Sequence, residues 1–194
     1  MKLGVLLVVV VGITVCQIPK GQVKKKSETS KRKSMIAVLE TNVGTIEIEL
    51  FEHDAPKTVK NFAGLAEQGY YNGIIFHRVV HGFVIQGGDS TGTGTGGRSI
   101  YGSGFEDELN PNAPSYQEGY KHGTVAMANR GPNTNTSQFF ICLGDLPLPK
   151  AYTIFGKVAK GLDVVDLIGK TKTGPMDRPE AKVVMNKVYV KKPQ

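Results

Sequence analysis

The chain has no tryptophan and only two cysteines, Cys16 and Cys142. No disulfide framework follows from such a pair, so cysteine usage does not decide the compartment. Cys142 falls inside the apolar stretch Phe139-Phe-Ile-Cys-Leu143 and reads as a buried free thiol. Long hydrophobic runs are also scarce. Leu3 to Val15 is an apolar run of thirteen, short of the about 20 residues that a membrane-spanning helix needs. Metal ligands are thinly spread: His77 and His81 share a strand face by alternation, but no cluster of Cys or His stands near to complete a site, so no metal is expected. There is no Gly-Lys-Ser/Thr. Gly92-Thr-Gly-Thr-Gly-Gly97 formally fits G-x-G-x-x-G, but a dinucleotide fingerprint must end a strand and open a helix. Here the run continues into Arg98-Ser-Ile-Tyr-Gly-Ser-Gly104, which has no helical period. No cofactor is expected, and the glycines read as a long surface loop.

A basic stripe is missing too, despite a formal charge of +7. Eight of the 24 Lys and Arg, and only one of the 17 acids (Glu28), lie in residues 1–34, leaving sixteen of each sign in 35–194. The basicity belongs to a leader, and the neutral remainder gives no surface for phosphate, so no nucleic-acid partner is expected. Leu3–Val15 behind Lys2 suits the hydrophobic region of a signal peptide. Lys20 to Ser34, rich in Lys and Ser with almost no apolar residue, reads as a disordered tether. Ile13-Thr-Val-Cys16 looks somewhat like a bacterial lipoprotein box, although Val15 is bulkier than the small residue usual there. Export or membrane attachment through residues 1–34 is therefore expected. The alternatives are an uncleaved anchor facing the cytoplasm, because the basic groups follow the apolar run, or translation starting at Met35 in a cytoplasmic protein.

Within 35–194, taken as one domain, Val38 to Glu49 alternates around the turn Thr41-Asn-Val-Gly44, as a hairpin does. Asp54-Ala-Pro56 predicts the start of a helix, with Asp54 near the cap and Pro in the first turn. Val59, Phe62, Ala63 and Ala66 form its apolar stripe, and Gly69 ends it. Strands are predicted at 73–80, 83–87, 123–128, 137–143, 153–158 and 181–190, with a second short helix near Leu162 to Ile168. Many strands and few helices indicate an antiparallel barrel or sandwich. Asn135-Thr-Ser137 is a formal glycosylation sequon.

Two segments carry more than packing needs: Phe76-His-Arg-Val-Val-His-Gly-Phe-Val-Ile-Gln-Gly-Gly-Asp89 and Met127-Ala-Asn-Arg-Gly-Pro-Asn-Thr-Asn-Thr-Ser-Gln-Phe-Phe140. Arg78 sits inside the apolar run Ile74 to Val80, where alternation puts its side chain on one face with Phe76 and Val80. A buried guanidinium is costly unless something receives its hydrogen bonds. The plain alternative is a surface strand whose Arg snorkels to water or to a carboxylate. The second segment supplies matching groups: Asn129, Gln138, Phe139 and Phe140. Together FHRV, QGGD, MAN, GPNT and SQFF, in this order and spacing, resemble the cyclophilins, the barrel-shaped peptidyl-prolyl cis-trans isomerases. The resemblance runs from about Met35 to Val190, through Ala55-Pro-Lys-Thr-Val-Lys-Asn-Phe62 and Tyr152-Thr-Ile-Phe-Gly-Lys-Val158.

The resemblance implies a closed eight-stranded antiparallel barrel with a helix over each end. It implies a monomeric isomerase acting on X–Pro bonds of unfolded or flexible polypeptides, or at least a module that binds proline motifs. It makes Arg78 the catalytic group, hydrogen-bonding the proline carbonyl and the imide nitrogen. Phe83, Val84, Phe140 and Leu148 would form the proline pocket, and Gln86 and Asn129 would hold the substrate backbone beside Ala128, with Gln138 and Tyr152 also at the site. On periodicity alone Phe83 and Phe140 would be ordinary core. Three positions depart from common family residues. Val84 stands where many members carry Met, Tyr152 where animal members often carry His, and Pro147 where cyclosporin-sensitive members have Trp.

Overall fold

The computed structural model describes residues 34–102 and 104–191. The apolar run, the Lys/Ser-rich stretch up to Lys33 and Cys16 lie outside the described residues. β1 (Ile36–Thr41) and β2 (Gly44–Leu50) form the predicted hairpin, with Thr41 opposite Gly44. Period-two alternation sends Ala37, Leu39, Ile46, Ile48 and Leu50 to the inner face, where all are buried. Asn42 at the turn accepts from the Val184 N–H (2.9 Å) and donates to the Lys182 carbonyl (3.0 Å), which ties the hairpin to the chain entering the last strand.

Helix α1 (Pro56–Glu67) starts where Pro56 predicts, but Asp54 does not cap it. The Glu108 carboxylate, from a distant loop, accepts the Lys57 and Thr58 N–H groups at 2.9 and 2.8 Å. A negative charge there also meets the positive end of the helix dipole. Asp54 instead accepts the Ser115 N–H (2.9 Å) at the start of α2 (Pro114–Glu118), a short helix that the sequence pattern did not reveal. Its five residues are too few to show a period. Gly69, at φ +66°, ends α1 with two bonds of a Schellman motif, Gly69 N–H to Ala66 O and Tyr70 N–H to Leu65 O. The buried stripe is Val59, Phe62, Leu65 and Ala66, whereas Ala63 is only half-buried.

The remaining strands are β3 (Arg78–Val80), β4 (Val84–Gly87), β5 (Thr124–Met127), β6 (Phe139–Cys142), β7 (Ile154–Lys160) and β8 (Met185–Lys191), with α3 (Leu162–Gly169) before β8. All eight strands join one antiparallel sheet in the order β3-β4-β6-β5-β7-β2-β1-β8. The sheet curls into a half-barrel, and the expected closure by a continuous ladder is not found. β3 and β8, the two edges, are not paired with each other. Instead, the segment before β3 meets the start of β8 and the residues just before it, at an isolated Ile75–Val184 bridge backed by Phe76 N–H to Val183 O and Met185 N–H to Ile74 O. The reason lies at Phe76 and His77, which leave the strand geometry predicted for 73–80. Phe76 turns into the core and packs edge-on against Phe139, with ring centroids 6.2 Å apart, so it does not share a face with Arg78.

The inner core holds Phe62, Tyr71, Phe139 and Phe155 around α1, with Phe62 5.7 Å from Phe139 and 5.5 Å from Phe155. A second cluster covers the outer face of the same strands: Val84, Tyr120, Ala126, Phe140, Cys142 and Ile154. β6 shows the division residue by residue. Phe139 and Ile141 point into the core, and Phe140 and Cys142 point outward. A strand buried on both faces reads as a continuous apolar run, which is why Phe139-Phe-Ile-Cys142 shows no alternation. Burial, reinforced by the charge of Asp145, pushes the Cys142 thiol up to about 12, so it stays protonated.

Candidate active site

Sheet register assembles the site. Arg78 lies opposite Gln86, Gln86 opposite Phe140, and Phe140 opposite Ala126, across β3, β4, β6 and β5. Directly opposed residues share a face, so these four form one row on the outer surface. The row borders a cavity of about 150 Å³ lined by Arg78, Phe83, Val84, Gln86, Ala128, Asn129, Phe140, Leu148 and Tyr152. Nine of the ten residues expected at the site therefore come together. The tenth, Gln138, lies behind them. It accepts from Gln86 Nε2 (3.0 Å) and donates to the Gly94 and Gly96 carbonyls (3.1 and 2.8 Å), lining a neighbouring cavity of about 80 Å³.

Phe140 is 6 % exposed. Tyr152 meets it edge-on, with centroids 5.6 Å apart. Tyr152 is itself clamped by Tyr120, whose hydroxyl donates to the Tyr152 carbonyl (2.9 Å) and accepts its N–H (3.1 Å). Asn129 Nδ2 donates to the Ala151 carbonyl at 2.9 Å, which fixes the amide at the rim. Arg78 is half-exposed rather than buried, and its Nε donates to Asp177 Oδ2 at 3.2 Å. Arg78 thus reaches a carboxylate at the surface while also lining the cavity. Tyr120 and Asp177 went unnoticed in the sequence. Tyr120 lies outside every periodic segment, and Asp177 is marked only by the turn signal Gly174-Pro175 far along the chain.

The glycine run wraps a carboxylate. Asp89 accepts from Thr91 N and Oγ1 (2.8 Å each), Gly94 N (2.7 Å) and Gly96 N (3.1 Å). Burial opposes ionisation of Asp89, but these bonds together outweigh it and hold the carboxyl below its ordinary value. A Cβ at Gly96 would collide with Asp89 Oδ1, so the loop cannot close on any larger residue there. His77 lies beneath this loop, and among the described residues neither ring nitrogen has a hydrogen-bond partner. Burial first, then Arg178 and Arg78 against the opposing pull of Asp89, lower its pKa, so the ring is held neutral. His81 is exposed on the Thr171 carbonyl (2.9 Å). The sequon is closed to sugar in this fold: Asn135 is fully buried, and its amide donates to Phe105 O and Asp107 Oδ1.

A shallow apolar pocket edged by amides and one guanidinium suits an extended peptide presenting a small ring. It marks a protein that works by gripping a chain and biasing its conformation. Comparison with known proteins gives that class its family. The family model described as "Cyclophilin type peptidyl-prolyl cis-trans isomerase/CLD" matches residues 35–190. The chain is 51 % identical over 156 residues to peptidyl-prolyl cis-trans isomerase-like 1 of Neurospora crassa, covering 78 % of this chain and 91 % of that one. It is 49 % identical over 160 residues to an Arabidopsis thaliana peptidyl-prolyl cis-trans isomerase, covering 80 % and 96 %. A crystal structure of a Cryptosporidium parvum cyclophilin type isomerase superposes with a TM-score of 0.76 at 38 % identity, over 83 % of this chain and 99 % of that one. The same protein was also solved in the presence of the dipeptide Ala-Pro. The chain belongs to the cyclophilin family of peptidyl-prolyl cis-trans isomerases.

Proposed function

We propose that this isomerase acts on exposed X–Pro bonds of unfolded or flexible polypeptides, assisting their folding, and that Arg78 carries the rate enhancement. Rotation about the bond meets a barrier of about 18–20 kcal/mol because amide resonance is lost. No proton transfer or covalent step is needed, only tighter binding of the twisted imide than of either planar form. Each 1.36 kcal/mol of that preference is tenfold in rate, so about 7 kcal/mol gives roughly 10⁵. The observation that carries the reading is the guanidinium of Arg78 at the edge of an apolar pocket, in register with Gln86 and Phe140. The proline ring rests on Phe140 among Phe83, Val84 and Leu148. Gln86 and Asn129 hold the peptide backbone, and Arg78 hydrogen-bonds the proline carbonyl and the imide nitrogen as it pyramidalises. The Cryptosporidium relative was solved in the presence of the dipeptide Ala-Pro, which carries an X–Pro bond of the matching kind.

A proline-peptide isomerisation assay tests the proposal. The cis-to-trans rate of a short X–Pro peptide should rise in proportion to enzyme concentration. Binding of the peptide without acceleration would instead make the chain a proline-binding module. We also propose, from the sequence alone, that the functional domain is 35–194, acting as a monomer, and that residues 1–34 direct export or membrane attachment. The break in charge at Met35 supports this division. A protein of residues 35–194 should then be soluble, monomeric and fully active, and a collapse of its activity would refute the division.

A further inference from the structure

Resting on that isomerase reading, we infer that Asp177 is a positioning residue for Arg78, presented to it by a strained turn. Asp177 lies in the 3-10 turn Pro175–Asp177. Met176 and Asp177 both have left-handed backbone, at φ 59° and 58°, although neither is glycine. Single non-glycine residues visit that region at a cost, and two in succession persist only where the surroundings impose them. Here they do. Gly174 N–H donates to the Arg178 carbonyl (2.8 Å), Thr173 and Pro179 form a bridge, and the Arg178 guanidinium donates to the Gly92 carbonyl of the glycine loop.

Little stability is gained in return. The side chains of Arg78 and Asp177 are 39 % and 46 % exposed, and a half-exposed ion pair contributes little to folding. What the turn delivers is orientation. A guanidinium is a rigid planar fork, so fixing Nε–H on a carboxylate fixes the plane of the whole group. With Nε engaged on Asp177, the two Nη groups remain for the pocket, where the imide nitrogen must be met at one angle. Small misplacements of such a group cost large factors in rate.

The test compares Asp177→Gly, which keeps the left-handed backbone but removes the acceptor, with Asp177→Asn, which keeps both an acceptor oxygen and tolerance of that backbone. On an X–Pro tetrapeptide, Asp177→Gly should lose at least fivefold in kcat with KM within twofold of wild type. Asp177→Asn should stay within threefold in kcat. In ¹⁵N NMR of the full chain, the Arg78 Nε–H signal should persist in wild type and Asp177→Asn and broaden by solvent exchange in Asp177→Gly. Wild-type kcat in Asp177→Gly, or equal losses in the Gly and Asn variants, would overturn the positioning role. A wild-type protein that does not accelerate isomerisation at all would instead overturn the isomerase reading on which the inference stands.

Discussion

Changing Gln138 to Glu tests how the pocket is built from behind. The side chain is 5 % exposed, and its amide nitrogen donates to two carbonyls, Gly94 and Gly96, while its oxygen accepts from Gln86. Glu is nearly isosteric, so packing is kept and only the donor is exchanged. An ionised carboxylate would face two carbonyl oxygens, lose two hydrogen bonds of about 1 kcal/mol each and leave buried acceptors unpaired, for a total of about 3 kcal/mol. In a domain of this size that lowers Tm by about 6–12 °C. Protonated, the new acid can donate to one carbonyl, so its pKa in the folded state must lie above its value in the unfolded chain. The folded protein then binds more protons, and the deficit relative to wild type should be small below about pH 4.3 and grow as pH rises through the folded pKa. Urea unfolding of both proteins across that range measures it. Isomerisation should also weaken at neutral pH, because Gln86 shares the network. A Glu variant as stable as wild type at pH 7 would refute the reasoning.

His77 predicts an acid-side loss of stability. Its pKa is lowered in the fold, so the unfolded chain binds more protons below about pH 6.5, and Tm should fall as pH drops below that value. His77→Phe should flatten this slope in thermal melts, and an unchanged slope would show that His77 is not its source. Pro147, exposed on the loop beside the pocket, stands where the family resemblance expects Trp in cyclosporin-sensitive members. Losing an aromatic anchor of that kind typically costs about 2 kcal/mol, roughly thirtyfold in affinity. The enzyme should therefore resist nanomolar cyclosporin in the peptide assay, with Pro147→Trp more sensitive, and nanomolar inhibition of the wild type would contradict this.

Much of the site was legible because its residues cluster in two short segments whose polar groups packing alone does not require. Arg78 stood out as a polar group in an apolar run, with Asn129 and Gln138 as amides to match it, whereas Gln86 came from the family resemblance. Phe140 did not stand out by periodicity, because β6 is covered on both faces and a doubly buried strand carries no alternation. Family resemblance, not pattern, separated Phe140 in the pocket from Phe139 in the core. The groups that support the site were invisible for a different reason. Tyr120 on Tyr152, Glu108 on the start of α1 and Asp177 on Arg78 act across long chain separations, which local sequence cannot encode. The same holds for the cap of α1. An Asp near a Pro is a sound local signal, but tertiary structure gave Asp54 to α2 and brought in Glu108 instead. Closure of the barrel failed at Phe76 and His77, where burying one aromatic ring outweighed strand regularity.

The central claim is that Arg78 lowers the rotational barrier instead of merely binding substrate. The most direct measurement is the isomerisation rate of one X–Pro peptide by wild type, Arg78→Lys and Arg78→Ala, with peptide affinity measured alongside. Lys keeps the charge but not the planar fork. The account predicts at least a tenfold fall in kcat/KM for Arg78→Lys and a larger one for Arg78→Ala, with smaller changes in affinity. Near-normal turnover by Arg78→Ala would contradict it.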